Sequence, residues 1–311
     1  MPIFDPDFNY KSSDINDYAI DIITELTTQE DIPEPTYEEI NNALSAMKKG
    51  KAADVFELTV ENILYGGDEL LYIIHKIIVA ITREGHIPDL LKTGLLTPIF
   101  KNKGSKLHVT NYRGITVTPV VCKIIESIMK NRLRPKWDQQ QCPLQKGFTK
   151  NSAPLNAAFI LEAARREALD IGKLLTIILL DAKSAFDVVV HKNLLKKLYH
   201  LGIQDKHWTL IKSLHTNASS AIKFNGLVSE NFNILQGVRQ QGILSADLYK
   251  IYIDPLLKQL QQSRLGMNIG HIECGATACA DDITLNCTDP TEAQIMLNMA
   301  YNYSCIEQYK L

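Results

Sequence analysis

The sequence predicts an α+β fold in which helices pack on one face of an antiparallel sheet. From residue 173 onward, short apolar runs rich in β-branched residues alternate with amphipathic helices, in the order strand, helix, hairpin, helix, hairpin. Asn225-Gly226 joins two alternating segments, and this dipeptide is a strong hairpin signal. Strands joined by hairpins pair antiparallel, so the intervening helices are expected to cover one face of the sheet.

The first fifty residues (1–50) are predicted to form an acidic extension that ends in a helix. Residues 1–35 are acidic, are interrupted by prolines, and are expected to be partly ordered at best. Thr36 and Glu39 then form a capping-box pattern, and Gly50 provides a stop signal. A helix is therefore expected between them.

Residues 51–172 form the second predicted unit, which is mostly helical. Apolar residues recur at helical spacing in three segments, and a fourth segment looks irregular or β-like. The helices are predicted over 68–84, 119–134 and 152–171, and the irregular or β segment over 95–118.

Residues 173–311 form the third predicted unit. A strand is predicted over 174–180, and the next helix has an apolar stripe that starts at Phe186. A later helix is expected to open at Ser245 and to be interrupted at Pro255, because proline removes a helical hydrogen bond.

The last helix is predicted to begin at Asp289, in a capping-box pattern with Glu292. Its apolar face continues toward Leu311 without a stop signal. We therefore expect the chain to be a fragment or a truncated copy of a longer protein.

Composition excludes secreted and membrane-spanning classes. No apolar stretch approaches the roughly 18 residues of a spanning helix, and the N-terminus lacks the pattern of a secretory signal. The six cysteines form no Cys-x-x-Cys pair and no zinc pattern, which is typical of reduced intracellular thiols. We expect an intracellular protein of the nucleus or cytoplasm, not secreted and without a membrane partner. The oligomeric state is left open.

The net charge of −2 conceals an uneven charge distribution. Residues 1–47 carry eleven acidic residues and one basic residue, whereas residues 92–150 carry twelve basic and two acidic residues. A basic span of this kind indicates a phosphate-binding surface. Taken alone, it is explained equally well by a solvated basic face.

Three aspartates are candidates for a metal site. Asp281 and Asp282 interrupt the apolar run 276–285, and Asp181 closes the predicted strand 174–180. Charged residues in buried strands are costly unless they are paired or bind a metal. Carboxylates on neighbouring strands supply the oxygen ligands that hard cations prefer, and such sites support two-metal phosphoryl transfer. A helix cap at Asp181 and a polar turn at the pair are the alternatives.

Six ordered segments resemble the motifs of reverse transcriptases. Motifs A, B and C of the polymerase palm are similar to LLDAKSAFD (179–187), GVRQQGILSADLYKIY (237–252) and CADD (279–282). Fingers motifs are similar to LLTPIFKNKG (95–104), NYRGI (111–115) and QKGF (145–148). The resemblance covers about 36–305 and is closest to reverse transcriptases of non-LTR (LINE-type) retrotransposons.

The resemblance implies a right-hand polymerase with fingers over 51–172 and a palm over 173–311. The palm is expected to have an antiparallel sheet backed by helices, as in a ferredoxin- or RRM-like core, and no thumb is expected in this chain. The implied reaction is RNA-directed DNA synthesis, in which a DNA primer on an RNA template is extended with deoxynucleoside triphosphates. Two Mg²⁺ ions, replaceable by Mn²⁺, would be held by Asp181, Asp281 and, less directly, Asp282.

The resemblance also assigns binding residues. Nucleotide contacts are expected from Lys101, Arg113, Phe186 and Gln240, and template contacts from Gly237 and Gln145. The two cations would grip the triphosphate, and the aromatic ring would occupy the place of a ribose 2′-hydroxyl. Surface charge is the alternative for Lys101 and Arg113, and core packing is the alternative for Phe186.

Two substitutions depart from the family pattern. Gln241 stands where the family usually has glycine, and the following Gly242 could absorb the change. Cys279 stands where an aromatic residue usually precedes the aspartate pair. Gln241 and the expected lack of a thumb keep open a second function, a catalytically silent retroelement remnant that only binds nucleic acid. A third, an RNA-dependent RNA polymerase, fits Phe186 poorly.

Overall fold

The computed structural model describes residues 12–182 and 184–309, with side chains from residue 17 onward. The helices of this part are α1 (Ser12–Thr28), α2 (Tyr37–Ala46), α3 (Val60–Leu64), α4 (Gly67–Glu84), α5 (Val120–Gln140), α6 (Pro154–Asp170), α7 (His191–His200), α8 (Lys206–His215), α9 (Ser245–Ser263) and α10 (Pro290–Glu307). The strands are β1 (Thr93–Phe100), β2 (Tyr112–Val117), β3 (Thr176–Asp181), β4 (Ser219–Phe224), β5 (Leu227–Val228), β6 (Phe232–Asn233), β7 (Asn268–Ile269), β8 (Ile272–Glu273), β9 (Ala276–Cys279) and β10 (Asp282–Cys287).

The strands form two main sheets. A five-stranded sheet has the order β2-β1-β4-β5, with β6 paired to β4, and a three-stranded sheet has the order β3-β10-β9. Strand β4 runs parallel to β1, so residues from the predicted palm extend a sheet that begins in the predicted fingers. The division of the chain at 172/173 stays a prediction.

The three-stranded sheet has one face buried under helices and an opposite face that α6 covers only along β9 and β10, where Thr277 and Asn286 are buried, while the β3 side is exposed. Leu180, Ile283 and Leu285 lie on the buried face, where α9 and α10 pack against the sheet. Because successive residues of a strand point to opposite faces, Asp181 and Asp282 lie on this second face, and both are exposed. The α+β arrangement of an antiparallel sheet backed by helices is therefore confirmed, and it leaves the carboxylates accessible.

The acidic extension is more ordered than we expected from its sequence. Residues 1–11 lie outside the described residues, but α1 follows at Ser12 and buries Ile20 and Ile23 in the main core. Asp31 pairs with Lys206 at 2.5 Å. The spacing of the two isoleucines on one helix face supplies the apolar contact that a count of acidic residues does not reveal.

Most local signals gave the observed element boundaries. Thr36 and Glu39 form the predicted capping box at α2. Asn225 and Gly226, with φ of 50° and 81°, form the predicted turn between β4 and β5. At α10, Asp289 caps the helix, but Glu292 accepts a hydrogen bond from Gly266 N at 3.0 Å.

Three helix predictions were wrong. Phe186 lies in a turn and α7 begins only at His191, because Val189 O and Phe186 O accept from the backbone of 237–238. Helix α9 runs through Pro255 without a break, since the fully buried Leu256 and Leu257 anchor that turn in the core. Helix α10 has a stop, a left-handed C-cap.

Among the described helices, none combines the length and apolar character needed to cross a membrane.

Candidate functional site

The three candidate aspartates meet at one end of the three-stranded sheet. Asp181 ends β3 and Asp282 begins β10, and the antiparallel register places these two residues directly opposite each other. Asp282 also pairs with Cys279 across the β9–β10 hairpin, so Ala280 and Asp281 form a two-residue turn. The structure thus brings Asp181 together with an aspartate pair that begins a hundred positions later in the sequence.

The carboxylates are not neutralised by the described part of the chain. None of the three forms a salt bridge with a described residue. Partial burial raises the pKa of Asp282, and the negative charges of Asp281 and Asp181 raise it further. A divalent cation bound by these carboxylates would offset the repulsion between them and favour their charged form.

The donor set fits Mg²⁺ better than it fits a closed protein site. Among the described residues, no three His, Cys, Asp or Glu side chains lie close enough together to hold an ion by themselves. Mg²⁺ usually takes one or two carboxylates and completes its shell with water and substrate phosphates. The arrangement of Asp181, Asp281 and Asp282 therefore suits an ion that arrives with a nucleotide.

The turn between β9 and β10 has a strained backbone. Ala280, the first residue of this two-residue turn, has a φ of 63°, in the region that favours glycine, and Asp281 has no positive φ. A left-handed conformation costs a residue with a Cβ about 1–2 kcal/mol. Neighbouring contacts must offset that cost.

Gln145 supplies such contacts and is not exposed to a template in the structure. Its side chain is 2% exposed, and its amide bonds to both Ala280 N and Ala280 O. Two hydrogen bonds contribute about 1–3 kcal/mol in total, which is comparable to the strain of the turn. The template role expected for Gln145 stays a prediction, whereas its contact with the turn is observed.

Gly147 allows the same segment to approach the turn. A Cβ at this position would lie 2.1 Å from Ala280 N and 2.9 Å from Ala280 Cα. Only glycine fits between two backbones at such a distance. The QKGF motif therefore packs directly behind the aspartate turn.

Phe186 belongs to an aromatic column beside the carboxylates. Its ring stacks on Tyr249 with centroids 5.0 Å apart, and Phe148 meets it edge-on at 6.4 Å. Burial raises the pKa of the Tyr249 hydroxyl, and the nearby Tyr309 and Asp281 add to the effect. We did not assign Tyr249 or Phe148 a function from the sequence, although both occur within recognised motifs.

Gly237 is a packing residue in this structure. It has a φ of 91°, and a Cβ there would lie 2.9 Å from Asp187 O. His191 Nε2 bonds to Gly237 O at 2.8 Å. These contacts join motif B to the turn after Asp181, and the template role of Gly237 stays a prediction.

Gln240 lies against the same turn. Its Nε2 donates to Asp187 Oδ1 at 3.3 Å, and loss of solvation raises the pKa of Asp187. Gln240 is half-buried and Asp187 is exposed. The hydrogen bond to Asp187 would thus orient the Gln240 amide before a nucleotide binds.

Gln241 carries the backbone strain that a glycine would avoid. Its φ is 76°, whereas Gly242 has no positive φ, and a Cβ on Gly242 would lie 2.3 Å from Ser245 Oγ. Gly242 therefore does not absorb the substitution. The exposed side chain of Gln241 remains where the family usually has none.

We predict that Gln241→Gly stabilises the chain by about 0.5–1 kcal/mol, since relief of the left-handed strain exceeds the added chain entropy of glycine. Urea unfolding would measure the change. Gln204→Gly is the matched control, because Gln204 has no positive φ and its replacement should destabilise. Equal destabilisation by both substitutions would contradict the strain argument.

Lys101 and Arg113 lie on a different sheet from the aspartates. Arg113 is exposed on β2 opposite Ile99, and Lys101 follows the end of β1. Lys101 Nζ donates to Thr110 O at 3.1 Å. No described contact joins either cation to the aspartates, so their roles in triphosphate binding stay predictions.

Comparisons with known proteins agree with the geometry. A family model described as reverse transcriptase (RNA-dependent DNA polymerase) matches residues 100–310. The Pol polyprotein of the type-1 retrotransposable element R2 of Popillia japonica is 27% identical over 65% of this chain and 28% of its own length. A 149 kDa protein of transposon TX1 from Xenopus laevis is 24% identical over 88% of this chain and 21% of its own length.

The chain thus spans only between 21% and 28% of these relatives. Among solved structures, apo telomerase from Candida tropicalis is similar with a TM-score of 0.51 and 13% identity, over 71% of this chain and 43% of that one. That likeness concerns the fold. The match over 100–310 shows that the chain belongs to the reverse transcriptase (RNA-dependent DNA polymerase) family, and the relatives confirm its resemblance to the non-LTR type.

Proposed function

We propose that this chain is the fingers and palm part of an RNA-directed DNA polymerase, with Asp181, Asp281 and Asp282 as its catalytic carboxylates. The observation that carries the proposal is the register of β3 and β10, which places Asp181 opposite Asp282 beside the turn that carries Asp281. Their mutual repulsion and their lack of a described cation partner support binding of Mg²⁺ or Mn²⁺.

In this reaction a primer 3′-hydroxyl forms a bond to the α-phosphorus of a deoxynucleoside triphosphate, and pyrophosphate leaves. The aspartates would hold two divalent ions, which would lower the pKa of the hydroxyl so that its proton passes to solvent, and would neutralise charge on the leaving oxygens. The paired strands hold Asp181 and Asp282 opposite each other, and the adjoining turn carries Asp281. Gln240 and the column at Phe186 would then orient the base and the sugar.

Lys101 and Arg113 are proposed to bind the triphosphate. Both side chains are exposed on the β1–β2 hairpin, and guanidinium groups suit bidentate phosphate contact. The RNA template and the DNA primer would bind mainly through basic residues to phosphates, so binding should weaken with salt.

The six cysteines are free thiols, which supports an intracellular location.

Phe186 is proposed to select deoxynucleotides. We predict that Phe186→Val raises the use of ribonucleotides relative to deoxynucleotides by roughly tenfold or more, because a removed contact of this size is worth about 1–3 kcal/mol. Single-nucleotide extension assays would give the ratio. Phe159→Val, at a side chain 71% exposed on α6, is the control and should leave the ratio unchanged. An unchanged ratio in Phe186→Val would show that Phe186 does not select between deoxynucleotides and ribonucleotides.

Primer extension on an RNA template tests the proposal. The chain is incubated with Mg²⁺ and deoxynucleotides, then with ribonucleotides, and template binding is measured at two salt concentrations. Incorporation of deoxynucleotides is expected, with short products. Salt-sensitive binding without any incorporation would favour the silent remnant, and preferential ribonucleotide use would favour an RNA polymerase.

A further inference from the structure

Gln145 uses its side-chain amide to hold one residue of the aspartate turn. Nε2 donates to Ala280 O at 3.0 Å, and Oε1 accepts from Ala280 N at 2.8 Å. The same oxygen accepts from Gly147 N at 2.8 Å. An oxygen that already accepts two N–H groups in a buried site has little capacity left for a template base.

The backbone around Gln145 is docked on β9 as well. Gln145 and Ala278 form a parallel bridge, in which Lys146 N donates to Ala278 O at 2.7 Å and Ala278 N donates to Leu144 O at 3.0 Å. The segment 144–147 therefore follows the hairpin strand, and the Gln145 side chain reaches the turn itself. Gly147 permits this close packing, since a Cβ at its position would clash with the backbone of the turn.

The residue that Gln145 holds is the strained one. Ala280 keeps a φ of 63°, and no other residue of the turn has a positive φ. Ala280 directly precedes Asp281, so a change in its backbone conformation would rotate both Asp281 and Asp282 away from Asp181. A residue that fixes Ala280 also fixes the spacing of the carboxylates.

We propose that Gln145 is a positioning residue, which holds Ala280 in its left-handed conformation and thereby sets the geometry of Asp281 and Asp282 relative to Asp181. The inference rests on the proposed function for its catalytic consequence. Its structural part, the immobilisation of Ala280, stands independently. Partners that orient metal ligands in this way typically change metal affinity or activity by 10–100-fold when they are removed.

A rescue experiment separates positioning from template contact. Gln145→Met keeps the length of the side chain and removes its hydrogen bonds, and we expect a 10–100-fold lower rate constant for primer extension, a higher Mg²⁺ requirement and an unchanged KM for the template. Ala280→Gly, added to Gln145→Met, should restore several-fold of the activity, because glycine adopts a positive φ without strain. Gln140→Met is the matched control at an exposed glutamine of α5.

A role in template contact predicts the opposite result: a raised KM for the template and no rescue by Ala280→Gly. Either outcome would overturn the proposal. If Gln145→Met does not fold, Gln145→Asn, which adds no charge but whose amide is one methylene short of Ala280, takes its place with the same expected rescue.

Hydrogen exchange tests the inference without catalysis. The Ala280 amide should exchange at least tenfold faster in Gln145→Met than in the wild type, even if neither protein extends a primer. Faster exchange without activity in either protein would leave the positioning role standing and the proposed function refuted. Unchanged exchange would refute the positioning role.

Discussion

Asp181→Asn is expected to lower primer extension by about 10²–10³-fold or more, the loss that follows removal of one electrostatic partner from a preorganised site. Asparagine keeps the shape of the side chain but removes the charge opposite Asp282. The repulsion that raises the pKa of Asp282 would weaken, so the protein should fold at least as well as the wild type. Loss of activity in a stable variant would therefore report on catalysis.

The measurement has two readouts. Single-turnover extension gives the rate, and thermal unfolding with and without Mg²⁺ reports metal binding, since an ion that binds only the folded state raises the Tm. Mg²⁺ should raise the Tm of the wild type more than that of Asp181→Asn. Asp289→Asn is the matched control, because Asp289 caps α10 and asparagine is an equally good cap. Retention of more than a tenth of the activity by Asp181→Asn would contradict the proposed role.

Local signals predicted the parts of the fold that depend on neighbouring residues. The capping box of Thr36 and Glu39 and the turn at Asn225-Gly226 each involve residues within three positions of one another. Their geometry is set by φ and ψ preferences and short hydrogen bonds. Such elements form in the same way in many tertiary contexts.

The arrangement of the site depended on contacts that no local pattern encodes. Gln145 and Ala280 are 135 positions apart, and their hydrogen bonds require the complete sheet. The sequence identified both motifs but assigned Gln145 to the template. The helix predicted from Phe186 was wrong because distant contacts decide that segment: backbone hydrogen bonds to 237–238 hold it in a turn. The expected convergence of the three aspartates on neighbouring strands is observed, because their motifs lie on paired strands, whereas their role as metal ligands stays a prediction.

Gly147→Ala is expected to destabilise the chain by about 3 kcal/mol and to lower primer extension at least tenfold. The added Cβ would lie 2.1 Å from Ala280 N, and the nearest atoms that it would meet all belong to the backbone, so no side chain can rotate to make room. Overpacking of a core costs typically 1–3 kcal/mol, and a rigid contact belongs at the upper end of that range. The least costly response is a shift of the aspartate turn, and the loss of activity would follow from it.

Urea unfolding and single-turnover extension measure the two effects of Gly147→Ala. Gly172→Ala is the control: no atom lies within 4 Å of its added Cβ, but its φ is 67°. It should therefore cost only about 1–2 kcal/mol of backbone strain and leave extension intact. The pair separates a general cost of replacing glycine from displacement of the turn. If Gly147→Ala were as stable and as active as the wild type, the segment 144–147 would not pack against the turn as the structure shows, because a methyl carbon cannot lie 2.1 Å from a backbone nitrogen.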